Sequence, residues 1–436
     1  HIADVAHCVR PDPTIDDEAV ERGTSVYLVD RTIPMLPERL CNELCSLRPH
    51  EEKLCFSAIF HIDEKGKVLQ EWFGRTIIYS DRRFTYEEAQ QIIESGEGEM
   101  KSEVLTLHRL AQVLRKERYR KGAISFSRRE AKFHLDEKGH PTGVYFKVQK
   151  EANQLIEEFM LLANRRVAEF CAYRLSNGRR VARPMVFRVH DEPSEDKLSR
   201  FREVALRFGH YFKASKGRAV AKEMNKLLTT IAGSAESNAI TTLAVRSMAK
   251  AVYTTDNIGH YGLAFPYYTH FTSPIRRYPD MMVHRLLTHY LDKGKSENKS
   301  RFEELCKHSS MREHLATEAE RSSIKYKLAE FMQGKVGQEF EGSVSGITEW
   351  GMYVEIEPSK VEGMVMLREI KEDFFIYDEK SYCLIGKSTR KRFTLGDKVR
   401  IKVYKTNLEQ KLIDYTLIWD PEWNKKSSRK GVARKK

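Results

Sequence analysis

Apolar and aromatic residues recur through Ser57-Ala58-Ile59-Phe60-His61-Ile62 and Val68-Leu69-Gln70-Glu71-Trp72-Phe73, with Asp63-Glu64-Lys65-Gly66 between them. The pattern predicts two strands joined by a tight turn, within a mostly β region that ends near residue 80. Asp136 to Gly139 repeats the turn chemistry between Ala131–Leu135 and Gly143–Val148, which predicts a second hairpin and not a sequence repeat. Between the hairpins, Thr85-Tyr86-Glu87-Glu88 has the form of a capping box. It predicts a short helix ending near Gly96, followed by a longer helix from Glu103 to Arg120. From 151 to 334 apolar residues fall at helical spacing, and Leu155, Ile156, Phe159, Met160 and Ala163 read as a core face. After Gly334 the texture changes to short glycine-punctuated strands at 341–347, 351–356, 361–365 and 396–403, as in a small five-stranded barrel. The expected fold is α+β, with a mixed strand and helix body over 1–334 and an all-β OB-fold barrel over 335–420. Residues 421–436 read as a disordered basic tail, since the last twelve hold seven Lys or Arg.

With 436 residues, 41% of them hydrophobic, the chain has ample core for two or three domains. No apolar run reaches the length of a membrane span and no signal peptide is evident, so a cytoplasmic protein without membrane partners is expected. Lys and Arg exceed Asp and Glu by 75 − 62 = 13, which favours a polyanionic partner, although 31% charged residues also suits a well-solvated surface. Only Cys41 and Cys45 of the seven cysteines are closely spaced, which suits reduced thiols better than a disulfide framework or a zinc site.

The densest chemistry lies in Phe271-Thr272-Ser273-Pro274-Ile275-Arg276-Arg277-Tyr278-Pro279-Asp280, two adjacent arginines at an expected proline-started helix. Free N–H groups at a helix start and a guanidinium fork both suit a phosphate. The segment resembles the Thr-Ser-Pro-Ile-Arg stretch of the ribonuclease II and ribonuclease R exoribonucleases, and the resemblance runs over nearly the whole chain. It implies a 3′-to-5′ exoribonuclease, closest to bacterial ribonuclease R, that uses Mg2+ and releases nucleoside 5′-monophosphates processively from single-stranded RNA ends. A monomer is expected.

The same resemblance assigns roles. Arg276 would clamp the scissile phosphate, with Arg277 beside it on the RNA; Glu320, in Ala319-Glu320-Arg321, would bind the terminal sugar. Tyr86 would hydrogen-bond near the terminal phosphate, Tyr27 and Phe126 would clamp the 3′-terminal bases, and Glu157 would line the RNA channel. The barrel resembles an S1-type domain, in which Phe340, Trp350, Tyr353 and Phe375 occupy positions of stacking aromatics; Trp350 and Tyr353 are expected to face RNA. The family's metal-binding Asp-x-Asp-Asp cluster stands upstream of an Ile-Ala-Asp-Val strand, and this sequence opens with His1-Ile2-Ala3-Asp4-Val5. No metal ligand is therefore assigned within it, and the alternative reading is an RNA-binding fragment or pseudoenzyme. Asp16-Asp17-Glu18 imitates the catalytic signature but reads as a helix start. His260, His270 and His284 have no local metal-ligand spacing and read as capping or packing residues.

Overall fold

Glu52–Ile62 and Val68–Tyr79 form one long antiparallel hairpin, and Ile2–Ala3 adds a short third strand with Ile2 opposite Phe56. The turn closes because Asp63 Oδ1 accepts hydrogen bonds from Lys65 N at 2.9 Å and Lys67 N at 2.8 Å. Asp136 does the same for Lys138 and His140 in the hairpin of Glu130–Leu135 and Pro141–Lys147. In both turns a carboxylate stands in for a backbone acceptor, the recurring chemistry expected from the sequence. The structure, a computed structural model, describes residues 1–11, 14–126, 130–234, 236–379 and 382–424. The basic stretch 425–436 lies outside the described residues.

Both halves of the capping box are present at Thr85 and Glu88, and the helix Tyr86–Ser95 ends at Gly96 in a left-handed conformation. Helix Lys101–Arg120 follows and packs against helix Glu151–Ala172. The core face of Glu151–Ala172 differs from the expected one. Leu155, Glu158, Leu161 and Leu162 are buried, while Ile156 and Met160 are exposed. The reason is electrostatic: Glu158 turns inward to Arg118, with Oε1 at 2.5 Å from Nη2 and both side chains buried. A buried charge needs such a partner, and the helix is rotated to supply it.

The main core joins the sheet through Phe56 and Phe73, helix Glu151–Ala172 through Val167 and Cys171, and helix Tyr278–Leu291 through Met281 and Leu286. Helices Glu195–Arg207, Gly217–Thr230 and Ser237–Ser247 enclose a second core around Phe201, Met224 and Ile240. All seven cysteines are free thiols. No described helix is long and apolar enough to cross a membrane.

The C-terminal barrel closes from Glu339–Thr348, Gly351–Ile356, Glu362–Met366, Leu412–Leu417 and Lys398–Asn407, adjacent in that order. A three-stranded sheet not foreseen from the sequence, Phe375–Asp378, Cys383–Gly386 and Arg392–Phe393, is inserted before the strand Lys398–Asn407. Phe375 is buried there and Phe340 packs on the barrel core, so neither is a free stacking platform. Trp423, beyond the last strand, packs edge-to-face on Phe393 at 5.4 Å.

Helix Lys299–Gln333 connects body and barrel, and its 35 residues span roughly 50 Å. Ala329 and Met332, in its last turns, are fully buried in the barrel core. Met332→Ala should therefore destabilise the protein by about 2–5 kcal/mol, measured by urea unfolding. The same change at exposed Met311 on this helix should fall within about 0.5 kcal/mol of the parent.

Candidate nucleic-acid site

The arginine motif is organised by Asp280. Helix Tyr278–Leu291 begins after both arginines, with Pro279 in its first turn, rather than at Pro274 as the sequence suggested. Residues 274–276 instead form a tight turn in which Ser273 O accepts from Arg276 N at 3.2 Å and Arg277 N at 3.1 Å. Asp280 is wholly buried, and its carboxylate accepts from Ser273 N at 2.7 Å and from Arg277 Nε and Nη2 at 2.8 Å each. Arg277 is thus consumed by a bidentate pair and is not free for RNA, a correction to the role expected for it. Burial opposes its charge, yet Asp280 beside it keeps the Arg277 pKa above its ordinary value.

Arg276 has the opposite fate. Its side chain is exposed, and no described residue hydrogen-bonds to or pairs with its guanidinium. Only its backbone is held: Arg276 O accepts from Ser25 N at 3.0 Å and from Thr24 Oγ1 at 3.1 Å, and Tyr278 N donates to Gly23 O at 2.9 Å. These bonds knit the turn to Gly23-Thr24-Ser25-Val26-Tyr27. Gly23 ends helix Ile15–Arg22 with φ +66°, and a Cβ there would come within 2.7 Å of Arg312 Cβ, so a side chain is excluded on both counts. Next along the strand, Tyr27 presents an exposed ring while its N–H donates to Glu320 Oε1 at 3.0 Å; Val29 N donates to Ser323 Oγ at 3.1 Å. The long helix Lys299–Gln333 therefore fixes Tyr27 from the far side.

A cavity of about 550 Å³ opens between these segments, lined by Ser25, Tyr27, Thr272, Ser273, Arg276 and His1 among others. It offers one uncommitted guanidinium and one exposed aromatic face. The nearby histidines add no positive charge. Burial pushes His260 down to about 3, and burial followed by Arg277 holds His270 well below its usual range. His260 caps the turn at Leu263 N, His270 accepts from Tyr253 OH at 2.7 Å, and His284 bonds Phe271 O at 2.8 Å while stacked on its ring, matching the capping and packing expected. Asp16 sits in the first turn of helix Ile15–Arg22 and pairs with Arg285 at 2.7 Å, a structural role. Among the described residues no group of three or more His, Cys, Asp or Glu is placed to hold a metal ion.

The remaining candidates do not line this cavity. Tyr86 is exposed at the first residue of its helix, with Lys147 Nζ 5.9 Å above the ring. Phe126 packs against the second helical core, and its neighbour Ser125 lines a larger cavity, about 1290 Å³, between the helical body and the barrel. Glu157 lies 3.4 Å from Arg118 and 4.0 Å from Arg115, so its charge is shared within the protein. Trp350 is 72% exposed on a barrel loop, and Tyr353 lies half-exposed over Gly346. Asp280 went unremarked in the sequence, although an acid three residues after an arginine at a helix start is a readable signal.

Residues 1–293 match the RNB domain family, and residues 334–417 match the S1 RNA binding domain. The chain belongs to the RNB family. This RNB chain is 38% identical over 431 residues to Ribonuclease R 1 of Lactococcus lactis subsp. lactis (strain IL1403), covering 95% of the chain and 51% of that protein. It is 36% identical over 431 residues to Ribonuclease R of Aquifex aeolicus (strain VF5), covering 96% and 59%. The solved RNase R of Mycoplasma genitalium in complex with ribose methylated single-stranded RNA superposes with a TM-score of 0.84 at 27% identity, over 95% of the chain and 66% of that structure. The RNB chain thus spans about half to two thirds of the length of these relatives.

Removing the buried carboxylate strands Arg277 and Ser273 N together. Asp280→Ala should destabilise the protein by about 3–5 kcal/mol in chemical denaturation. Combined with Arg277→Ala, the loss should be clearly smaller than the sum of the two single losses.

Proposed function

We propose that this chain is the RNA-holding part of a 3′-to-5′ exoribonuclease of the ribonuclease R kind, and that the cavity between Arg276 and Tyr27 receives the 3′ end. The observation that carries this reading is an exposed Arg276 guanidinium without a protein partner, lining the same cavity as the exposed ring of Tyr27. A guanidinium fork complements a phosphodiester, and an aromatic face stacks any base regardless of sequence. Glu320 holds Tyr27 N and, in this reading, turns its second carboxylate oxygen toward the terminal ribose hydroxyls. The Mycoplasma genitalium relative, solved with single-stranded RNA, supports RNA as the ligand. Trp350 and Tyr353 extend the contact onto the barrel, and Phe126 contributes at the cavity between body and barrel. Single-stranded RNA entering by that cavity would also meet Lys222, Lys360 and Lys398 on its walls.

The described residues do not fit a magnesium site. Asp4, in the strand end that precedes the metal-bearing region by resemblance, is buried, pairs with Arg75 at 2.8 Å and caps His7 N at 3.2 Å. Its lone pairs are committed within the protein. We therefore place the metal-binding aspartates of the working enzyme in sequence preceding His1 and derive no hydrolytic step from the residues present. RNA binding without hydrolysis is the second reading, and the commitment of Asp4 to Arg75 is what favours it.

Magnesium-dependent shortening of a 5′-labelled single-stranded RNA, by this chain and by one extended upstream through the expected aspartates, separates the two. Shortening from the 3′ end by the extended chain alone is the expected result; cleavage by this chain at the same rate would overturn the metal placement. In the extended chain Arg276→Ala should lower the rate by about 10²–10³-fold, the usual scale for a lost charge-stabilising donor. Its stability should change by less than about 0.5 kcal/mol because the side chain is exposed.

Tyr27→Ala should weaken RNA binding by about 1–3 kcal/mol in a fluorescence titration. The affinity of the parent chain should fall with salt by a slope near −0.7 per phosphate contact.

A further inference from the structure

A separate cavity of about 360 Å³ lies among the Asp63–Gly66 turn, helix Lys101–Arg120 and helix Glu151–Ala172, and shares no lining residue with the Arg276 site. Most cations at its wall are already matched. Arg118 pairs with Glu158 at 2.5 Å, Lys121 with Glu117 at 3.2 Å, and Arg166 with Glu71 at 2.6 Å. Three are not matched in this way. Lys65 and Lys67 are exposed on the tight turn, and no described residue pairs with either ammonium group. Arg165 is the decisive one: its guanidinium makes no hydrogen bond, and its Nε is buried without a partner. Glu169 approaches Nε only to 3.6 Å, beyond hydrogen-bond length, and burial holds the Arg165 pKa below its ordinary value.

A desolvated guanidinium with unused N–H groups is destabilising until an anion or water meets it. The opposite wall is apolar, formed by Leu114, Leu161 and Phe265, whose ring lies 5.4 Å from the Arg165 carbon. One end of the cavity is therefore cationic and the other suits a flat apolar group, within the volume range of small-ligand sites. We propose that this cavity binds a free nucleoside 5′-monophosphate, its phosphate on Arg165, Lys65 and Lys67 and its base against Leu114, Leu161 and Phe265. The proposal does not depend on hydrolysis by this chain, because occupancy is read directly.

The test is calorimetric titration of the full chain with AMP, inorganic phosphate and adenosine. AMP and phosphate should bind and adenosine should not. The double variant Lys65→Glu, Lys67→Glu removes no packing and should weaken AMP at least about 10-fold, the scale of one lost charge-assisted contact. Arg276→Ala should leave AMP binding unchanged, which separates this cavity from the proposed 3′-end site. Absence of saturable AMP binding up to about 10 mM, a limit that corresponds to negligible affinity, overturns the proposal. So does loss of binding in Arg276→Ala with the lysine variant unaffected. Displacement of AMP from Arg276→Ala protein by a single-stranded RNA lacking terminal phosphates would assign the cavity to RNA backbone and equally overturn it.

Discussion

The buried carboxylate of Asp280 is the constraint on which the candidate site depends. It accepts the Ser273 N–H and both near nitrogens of Arg277, so one side chain sets the turn and neutralises the second arginine. With Arg277 drawn inward, the intervening backbone leaves the Arg276 side chain outside and turns its carbonyl toward Ser25 and Thr24. The outward arginine and the inward arginine are two consequences of one ion pair. Buried pairs of this kind are weak stabilisers relative to apolar packing, but they specify geometry when every lone pair is used, as here.

From that turn the constraint passes through the strand to a helix end far away. Ser25 and Thr24 hold Arg276, the same strand carries Tyr27, and Glu320 holds Tyr27 N from the helix Lys299–Gln333. Thirteen residues further along, at Gln333, that helix ends with Met332 buried in the barrel. The catalytic-type body and the S1 domain are thus joined by a rigid rod whose middle belongs to the site. A rod built this way sets the distance from the Arg276 cavity to the barrel, whereas a flexible linker would leave that distance variable.

Local signals were legible in the sequence and long-range ones were not. Thr85 and Glu88 lie three residues apart and satisfy each other, so their pattern alone locates the helix start. The Asp63 and Asp136 turns were readable for the same reason. The inward face of Glu151–Ala172 was misread because its orientation answers to Arg118, forty residues earlier, and periodicity carries no record of that partner. The role of Arg277 was misread because the helix begins four residues later than Pro274 suggests, which brings Asp280 into the first turn beneath it. Motif resemblance found Arg276, Tyr27 and Glu320, and the structure brings these three together. It does not bring Tyr86, Phe126 or Glu157 to that cavity.

The distinction between paired and unpaired cations accounts for more than the site. The chain carries an excess of thirteen basic residues, but the excess does not mark function by itself, since Arg118, Arg166, Arg277 and Arg285 are each matched to a carboxylate. What remains after matching is small and localised: Arg276 at one cavity, Arg165 with Lys65 and Lys67 at another. A matched guanidinium has its N–H groups occupied and its charge cancelled, so it attracts an incoming phosphate little and would first have to release its partner. An unmatched one needs no such exchange, and where it is partly desolvated, as Arg165 is, the protein already bears the cost that an anion would relieve. Net charge draws a polyanion toward the surface, whereas the few cations without internal partners decide where its phosphates can settle.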